Sequence, residues 1–227
     1  MQKKEFIHTR EYRGLLAVPE KKALLWLAQH TPKRINSDHL TMLGLSAMII
    51  AGASYWAARW NPSFLFLVVF ALIMNWLGDS LDGTLARVRN CQRPRYGYYV
   101  DHVIDLFGTA TLLTGMALSG FISHWIALAL LAVYTMVEAE VFLATCSQQV
   151  FRLSCFRIGP TELRIILAIG TLYLLHNSSV SIFGKGPYLL FDTGGIVAIA
   201  GLVSAFVYSS IRNGRALYLA EPLTNRG

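Results

Sequence analysis

Apolar residues along this chain fall into blocks of roughly twenty, the length of a membrane-crossing helix. Short polar connections rich in Arg, Asn, Gly and Pro separate them. The pattern predicts six spans. They run from about Leu40 to Ala58, from Phe64 into Asn75-Trp76-Leu77-Gly78, and from Tyr98 to Gly120. The others run from Trp125 to Thr145, Leu163 to Leu175, and Leu189 to Ser210. Asn36-Ser37-Asp38 caps the first span, Trp56 and Trp60 mark its far end, and Asn61-Pro62-Ser63 turns the chain. Asn177 to Pro187 reads as an outer loop. Ahead of the spans, Pro19 opens a short helix whose Leu24, Leu27 and Ala28 share one side, with Lys21 and Lys22 on another. It is too short to cross a bilayer. It reads as a helix lying at the interface with Trp26 at headgroup level, or as an amphipathic helix packed on the bundle, and the two are compatible. The expected fold class is all-α: a polytopic membrane protein, a six-transmembrane-helix bundle with an N-terminal interfacial amphipathic helix. Its parts are an N-terminal segment over 1–35, a helical core over 36–212 and a tail over 213–227.

Composition supports this. Only 15% of the 227 residues are charged and 54% are apolar, against about 25% charged in a soluble domain. The net charge of +7 does not call for nucleic acid. With six spans, all of the 20 Lys and Arg except Arg59 and Lys185 fall on one side. The excess of basic residues in cytoplasmic loops places that side, with both termini, in the cytoplasm. Cys91, Cys146 and Cys155 are odd in number and lack metal spacing, so no disulfide framework is expected. The first residues show no apolar core with a small-residue cleavage site, so no cleaved signal peptide is expected. No internal repeat of the transporter kind is visible.

Chemistry concentrates in DSLDGTLARVRNCQRPRYGYYVDHVID, from Asp79 to Asp105. Carboxylates beside membrane spans cost several kcal/mol each unless offset, and they mark function by default. Asp79, Asp82, Gly83, Ala86 and Arg87 recur at one-face helical spacing, and so do Gly97, Asp101 and Asp105. The joining loop is short, so the simplest expectation is two antiparallel neighbours with these faces turned together and four carboxylates gathered. Such carboxylates would not all stay ionised alone. Two divalent cations would balance them, and oxygen-only ligation favours Mg²⁺ or Mn²⁺ over Zn²⁺. Such ions can hold a diphosphate and stabilise entering and leaving oxygens, while Arg87 can pair with the same phosphates. Any single Asp could be a helix-end charge at the interface. Eight specified residue types at these offsets arise by chance less than about once in 10⁹ starting positions.

The string D79-x2-D82-G83-x2-A86-R87-x9-G97-x3-D101-x3-D105 resembles the signature of the CDP-alcohol phosphatidyltransferases, integral membrane enzymes of phospholipid synthesis with a six-helix core. Asp38-His39-Leu40-Thr41, followed by Gly44, is similar to the family's Asn-x-x-Thr segment that helps hold the nucleotide, with Asp38 where Asn is usual. Pro94 stands where the family often has a small hydroxyl residue. The resemblance implies cleavage of a CDP-linked alcohol. An acceptor hydroxyl attacks the phosphorus farther from cytidine, and CMP leaves. It implies Asp79, Asp82, Asp101 and Asp105 as metal ligands, Asp105 as general base, and Asp38, Thr41, Gly83, Ala86 and Arg87 at the CDP moiety. It also implies a homodimer in membrane lipid.

Two substrate pairings stay open. In one, CDP-diacylglycerol donates a phosphatidyl group to a small polar alcohol, and Arg152, Arg157 and Arg164 are candidates for an acceptor's phosphate, unless they are only cytoplasmic-side charge. In the other, CDP-choline or CDP-ethanolamine donates to diacylglycerol. Asp101-His102, Glu138, Glu140 and Gly159-Pro160-Thr161-Glu162 are similar to that branch, although Thr161 and Glu162 also start a helix well unaided. His102, Glu138 and Glu162 complete the acceptor-pocket candidates. A cation transporter would also gather carboxylates, but nearer mid-span. The compact length points to a bacterial or archaeal inner membrane with a cytoplasmic active site.

Overall fold

The computed structural model describes residues 17–148, 160–182 and 184–221. Seven helices and one hairpin follow in order. They are α1 (Ala17–His30), α2 (Ser37–Ala58), α3 (Phe64–Val88), α4 (Pro94–Ser119), α5 (His124–Gln148), α6 (Pro160–Tyr173), strands β1 (Ser179–Ile182) and β2 (Lys185–Leu189), and α7 (Leu190–Ala220). Helices α2, α3, α4, α5 and α7 are long and apolar enough to cross a membrane. Helix α6 takes the place of the expected fifth span with 14 residues, a length of about 21 Å at 1.5 Å per residue.

Local signals account for the ends. Pro94 sits in the first turn of α4, where a missing N–H costs nothing. Gly120 closes α4 with φ of 84°, a left-handed cap that glycine adopts without strain. Asn36 caps α2, and its N–H donates to His39 Nδ1 at 3.3 Å. Two expectations change. The outer loop contains an antiparallel hairpin, β1 on β2. The last helix also runs past Ser210 to Ala220, so much of the expected tail is helical.

Helix α2 is the spine. It packs along both α3 and α4, and these two pack on α2 rather than extensively on each other. Small residues set both crossings. A Cβ on Gly78 would lie 2.6 Å from Gly44 N and Leu40 O, and one on Gly115 would lie 1.9 Å from Gly52 O. Close backbone approach through small residues is how membrane helices gain packing energy without a hydrophobic driving force. Asn75 fastens the first crossing, its Nδ2 donating to Gly44 O at 3.0 Å. The main core gathers Ala51, Tyr55, Leu65, Val68, Leu72, Leu112 and Met116. The Tyr55 hydroxyl bonds Thr171 Oγ1 and so ties α2 to α6.

A second, smaller core seats α1. Leu24 and Ala28 pack with Leu40, Leu81 and Leu85, so the predicted apolar side is the buried one, while Trp26 stays 59% exposed. Helices α5 and α7 are joined at both ends. Asp192 Oδ1 accepts from Ser123 N at 2.6 Å, and Glu140 accepts from Ser209 Oγ at 2.8 Å and Asn213 Nδ2 at 2.7 Å.

Replacing Gly78 by Ala forces a methyl into the backbone of α2. Overpacking of this kind costs about 1–3 kcal/mol. The thermal midpoint in detergent is expected to fall clearly for Gly78→Ala and to hold for Gly201→Ala, where a Cβ meets nothing within 4 Å.

Candidate active site

Because α2 holds α3 and α4 apart at its two crossings, their polar ends form a cleft rather than a sealed seam. Asp79 from α3 and Asp101 and Asp105 from α4 meet there. One carboxylate oxygen from each lies within 4.8 Å of the others. The i, i+4 spacing of Asp101 and Asp105 puts both on the one face of α4 that is turned toward Asp79.

Asp82 is close by but stands outside this trio. Its Oδ2 accepts from Thr41 Oγ1 at 2.6 Å, and Oδ1 accepts from the N–H of Gly83. Ser37 Oγ donates to the Asp82 carbonyl at 3.0 Å. The first turn of α2 is thus stitched to α3 beside the cluster, which brings Thr41 and Asp82 together. Asp38, on the same turn, points away to an ion pair with Arg93, and both partners are half exposed. The Arg93 guanidinium also lies over the Tyr96 ring, 4.1 Å from its centroid.

Glycines and arginines complete the mouth. Arg87 is exposed and its Nη2 donates to Thr84 Oγ1 at 3.0 Å. Its Nη1 would be 3.5 Å from a Cβ at Gly83, an ordinary contact distance, so Gly83 and the guanidinium stand side by side on the last turns of α3. A Cβ on Gly97 would meet nothing within 4 Å, which leaves open space beside the carboxylates. Ala86 closes the last turn of α3, its carbonyl accepting from Cys91 N at 3.0 Å.

Arg164 of α6 reaches across to Asp79, with Nη2 2.5 Å from Oδ2 and both side chains about one-fifth exposed or less. Arg164, one of the acceptor-pocket candidates, thus touches the cluster directly. His102 Nδ1 donates to the Tyr98 carbonyl at 2.7 Å, and its ring meets Phe142 edge-on at 5.0 Å. Glu138 stands on α5 near Tyr134, His102 and Asp101. Glu140 turns away to α7. Glu162 occupies the first turn of α6. Arg152 and Arg157 lie outside the described residues.

Sequence reasoning missed two positions. Arg89 clamps the α1–α2 linker, donating to Ile35 O at 2.5 Å, Thr31 O at 2.9 Å and Pro32 O at 3.0 Å. Glu20 of α1 accepts from Trp76 Nε1 at 2.8 Å and Thr161 Oγ1 at 2.8 Å. Glu20 and Arg164 both line a cavity of about 490 Å³ between α1, α3 and α6, with apolar walls from Pro19, Ala23, Leu72 and Ile165. The cavity therefore runs from apolar helix faces to the edge of the carboxylate cluster.

The family model for CDP-alcohol phosphatidyltransferase matches residues 35–207, which contain the whole cluster. The chain belongs to this family. It is a phosphotransferase acting on CDP-linked alcohols. Its fold is similar to that of Mycobacterium tuberculosis phosphatidylinositol phosphate synthase (PgsA1) with CDP-DAG bound. The TM-score is 0.55 and the identity 17%, over 88% of this chain and 93% of that one. It is also similar to the apo form of that enzyme, with a TM-score of 0.52 and 17% identity over 87% and 95% of the two chains. No curated protein sequence matches this chain.

Arg164 offsets part of the repulsion among the three carboxylates through its pair with Asp79. Arg164→Gln leaves Asp79 unpaired, and removing one partner of a largely buried pair costs up to about 3–5 kcal/mol. In protein stripped of metal, the variant is expected to unfold at lower temperature than wild type. Added Mn²⁺ is expected to restore more of the loss than equal ionic strength of NaCl, as read by thermal unfolding.

Proposed function

We propose that this phosphatidyltransferase moves a phosphatidyl group from CDP-diacylglycerol to the hydroxyl of a small polar alcohol and releases CMP. The observation that carries the reading is the apolar cavity between α1, α3 and α6, which ends on Arg164 where that residue meets Asp79. A lipid donor has the same layout, acyl chains on one side of a diphosphate. The similarity to a fold with CDP-DAG bound supports the same donor.

The donor set fits divalent cations. Asp79, Asp101 and Asp105 offer carboxylate oxygens within 4.8 Å of one another, hard ligands suited to Mg²⁺ or Mn²⁺. In our reading Asp82 joins them after exchanging its Thr41 bond. Two ions held there would neutralise diphosphate charge and stabilise the entering and leaving oxygens of an in-line displacement. The protein's own groups do the rest. Gly83 leaves room for the diphosphate to approach the α3 backbone, and Arg87 pairs with its oxygens. Ser37 and Thr41 orient the start of α2 for the nucleotide, with Asp38 on the same turn. Asp105 accepts the proton of the acceptor hydroxyl as its oxygen attacks the phosphorus farther from cytidine. The bond to the CMP oxygen then breaks, and CMP leaves as an anion. Arg164, with Arg152 and Arg157, is the candidate to bind a phosphate on the acceptor, while Glu162 and the His102–Glu138 pair form the remaining pocket wall. A neighbouring carboxylate and imidazole would also suit a cationic amine, which keeps CDP-choline or CDP-ethanolamine as the second donor.

The core over 36–212 carries this activity, with both termini and the cleft on the cytoplasmic side of a bacterial or archaeal inner membrane. Apolar outer faces on α4, α5 and α7 suit a homodimer embedded in lipid. No role in nucleic-acid binding is needed to explain the basic residues.

The deciding experiment supplies CDP-diacylglycerol, CDP-choline and CDP-ethanolamine to the purified protein with candidate acceptors and Mg²⁺ or Mn²⁺, and reads CMP. CMP from CDP-diacylglycerol is expected. Ion flux without CMP would refute the enzyme reading. Asp105→Asn should abolish turnover while retaining much of the binding of the CDP substrate, whereas Asp79→Asn should weaken metal binding in calorimetry. Wild-type turnover in Asp105→Asn would remove the base assignment.

Topology has its own test. Cys91 and Cys146 are free and exposed, and both fall on the cytoplasmic side of the layout. A membrane-impermeant maleimide is expected to label them in inverted vesicles and not in right-side-out ones.

A further inference from the structure

Helix α1 carries one carboxylate whose contacts its amphipathic pattern does not require. A first-turn acid favours the helix dipole wherever its side chain points. The Glu20 carboxylate instead reaches inward, and its Oε1 collects Trp76 Nε1 at 2.8 Å, Ser80 Oγ at 3.4 Å and Thr161 Oγ1 at 2.8 Å. Two of these donors belong to α3 and one to α6. The apolar side of α1, through Leu24 and Ala28, packs on residues of α2 and α3. Among the described residues, the Thr161 bond is the hydrogen bond that joins α1 to α6.

Those two helices face each other across the cavity of about 490 Å³. That volume lies within the usual range of ligand cavities, about 300–1,000 Å³. Pro19 and Ala23 of α1 line it, opposite Ile165 and Ala168 of α6, with Leu72, Ile73 and Trp76 of α3 between them. Glu20 and Thr161 thus form a polar seam in a groove walled mostly by apolar residues, with Arg164 at its end, and their bond joins the two facing walls.

We propose that Glu20 is a latch that seats the interfacial helix against α3 and α6, and so sets the width of the groove that takes an acyl chain of the lipid donor. The groove's occupant rests on the donor proposed above; the latch itself does not. Glu20 is a positioning residue: it acts through the groove wall and not on the reacting atoms. A donor with long chains uses the groove, and one with short chains does not depend on it.

Two measurements test this on the full chain in detergent or nanodiscs. The first is the separation between spin labels at Leu25→Cys on α1 and Ile169→Cys on α6, with Cys91, Cys146 and Cys155 replaced by Ser. Both label sites are exposed, at 37% and 63%. Glu20→Ala is expected to lengthen and broaden the distance distribution. Thr161→Val, which leaves α1 intact, should do the same, and Glu20→Gln, which keeps an acceptor oxygen, should restore most of the wild-type distribution. An unchanged distribution in Glu20→Ala and Thr161→Val overturns the latch. The second is KM for dioleoyl and for dihexanoyl CDP-diacylglycerol. The loss of charge-assisted bonds predicts a rise of about fivefold or more for the long-chain donor, with kcat and the short-chain KM within twofold. Equal rises for both donors overturn the acyl-chain assignment. If wild type releases CMP from neither lipid, the donor reading falls, and the label distance still decides the latch.

Discussion

Three carboxylates with oxygens inside 4.8 Å of one another repel, and the rest of the bundle has to hold them there. At an effective dielectric of about 20, each ionised pair at that separation costs about 3–4 kcal/mol. A scaffold able to relax would move them apart. Here it cannot, because α3 and α4 are each fixed to α2 by crossings too tight for a Cβ at Gly78 or Gly115. Arg164 supplies one positive charge from a third direction. The small residues of the spans and the aspartates of the cleft are therefore one device, in which rigidity on one side permits charge on the other.

This arrangement also divides the work between faces of the same helices. Along α3, Leu72, Ile73 and Trp76 line the apolar cavity, while Asp79 and Asp82, one to two turns further on, look into the cleft. A molecule that is hydrocarbon at one end and diphosphate at the other has the same progression.

Much of this was legible in the residues. Apolar blocks gave the spans, and one-face spacing gave Asp79 on α3 opposite Asp101 and Asp105 on α4. The Leu24–Ala28 side of α1 was readable too, because amphipathic spacing depends only on the helix period. What periodicity could not give was partner choice. Asp82 shares the phase of Asp79 but is held by Thr41 and Gly83 N, since a hydroxyl from α2 happens to stand within reach. The facing pair of helices expected around the motif is instead a pair held by α2, because the glycines that decide it, Gly44 with Gly78 and Gly52 with Gly115, lie far apart in sequence. Glu20 looks like an ordinary first-turn acid until Trp76 and Thr161 are seen beside it. The hairpin over Ser179–Leu189 lay in a stretch short enough to read as loop.

Helix α7 carries a consequence for the surrounding lipid. Of its 31 residues, those from Arg212 onward include Arg212, Asn213 and Arg215. The apolar stretch ahead of them measures about 33 Å at 1.5 Å per residue, close to a hydrocarbon thickness of about 30 Å. Asp192 on Ser123, and Glu140 on Ser209 and Asn213, fasten this stretch to α5 near its two edges. The polar bonds that join the two helices therefore stand at the margins of the hydrocarbon, and the pair presents one fixed apolar height to the lipid around it.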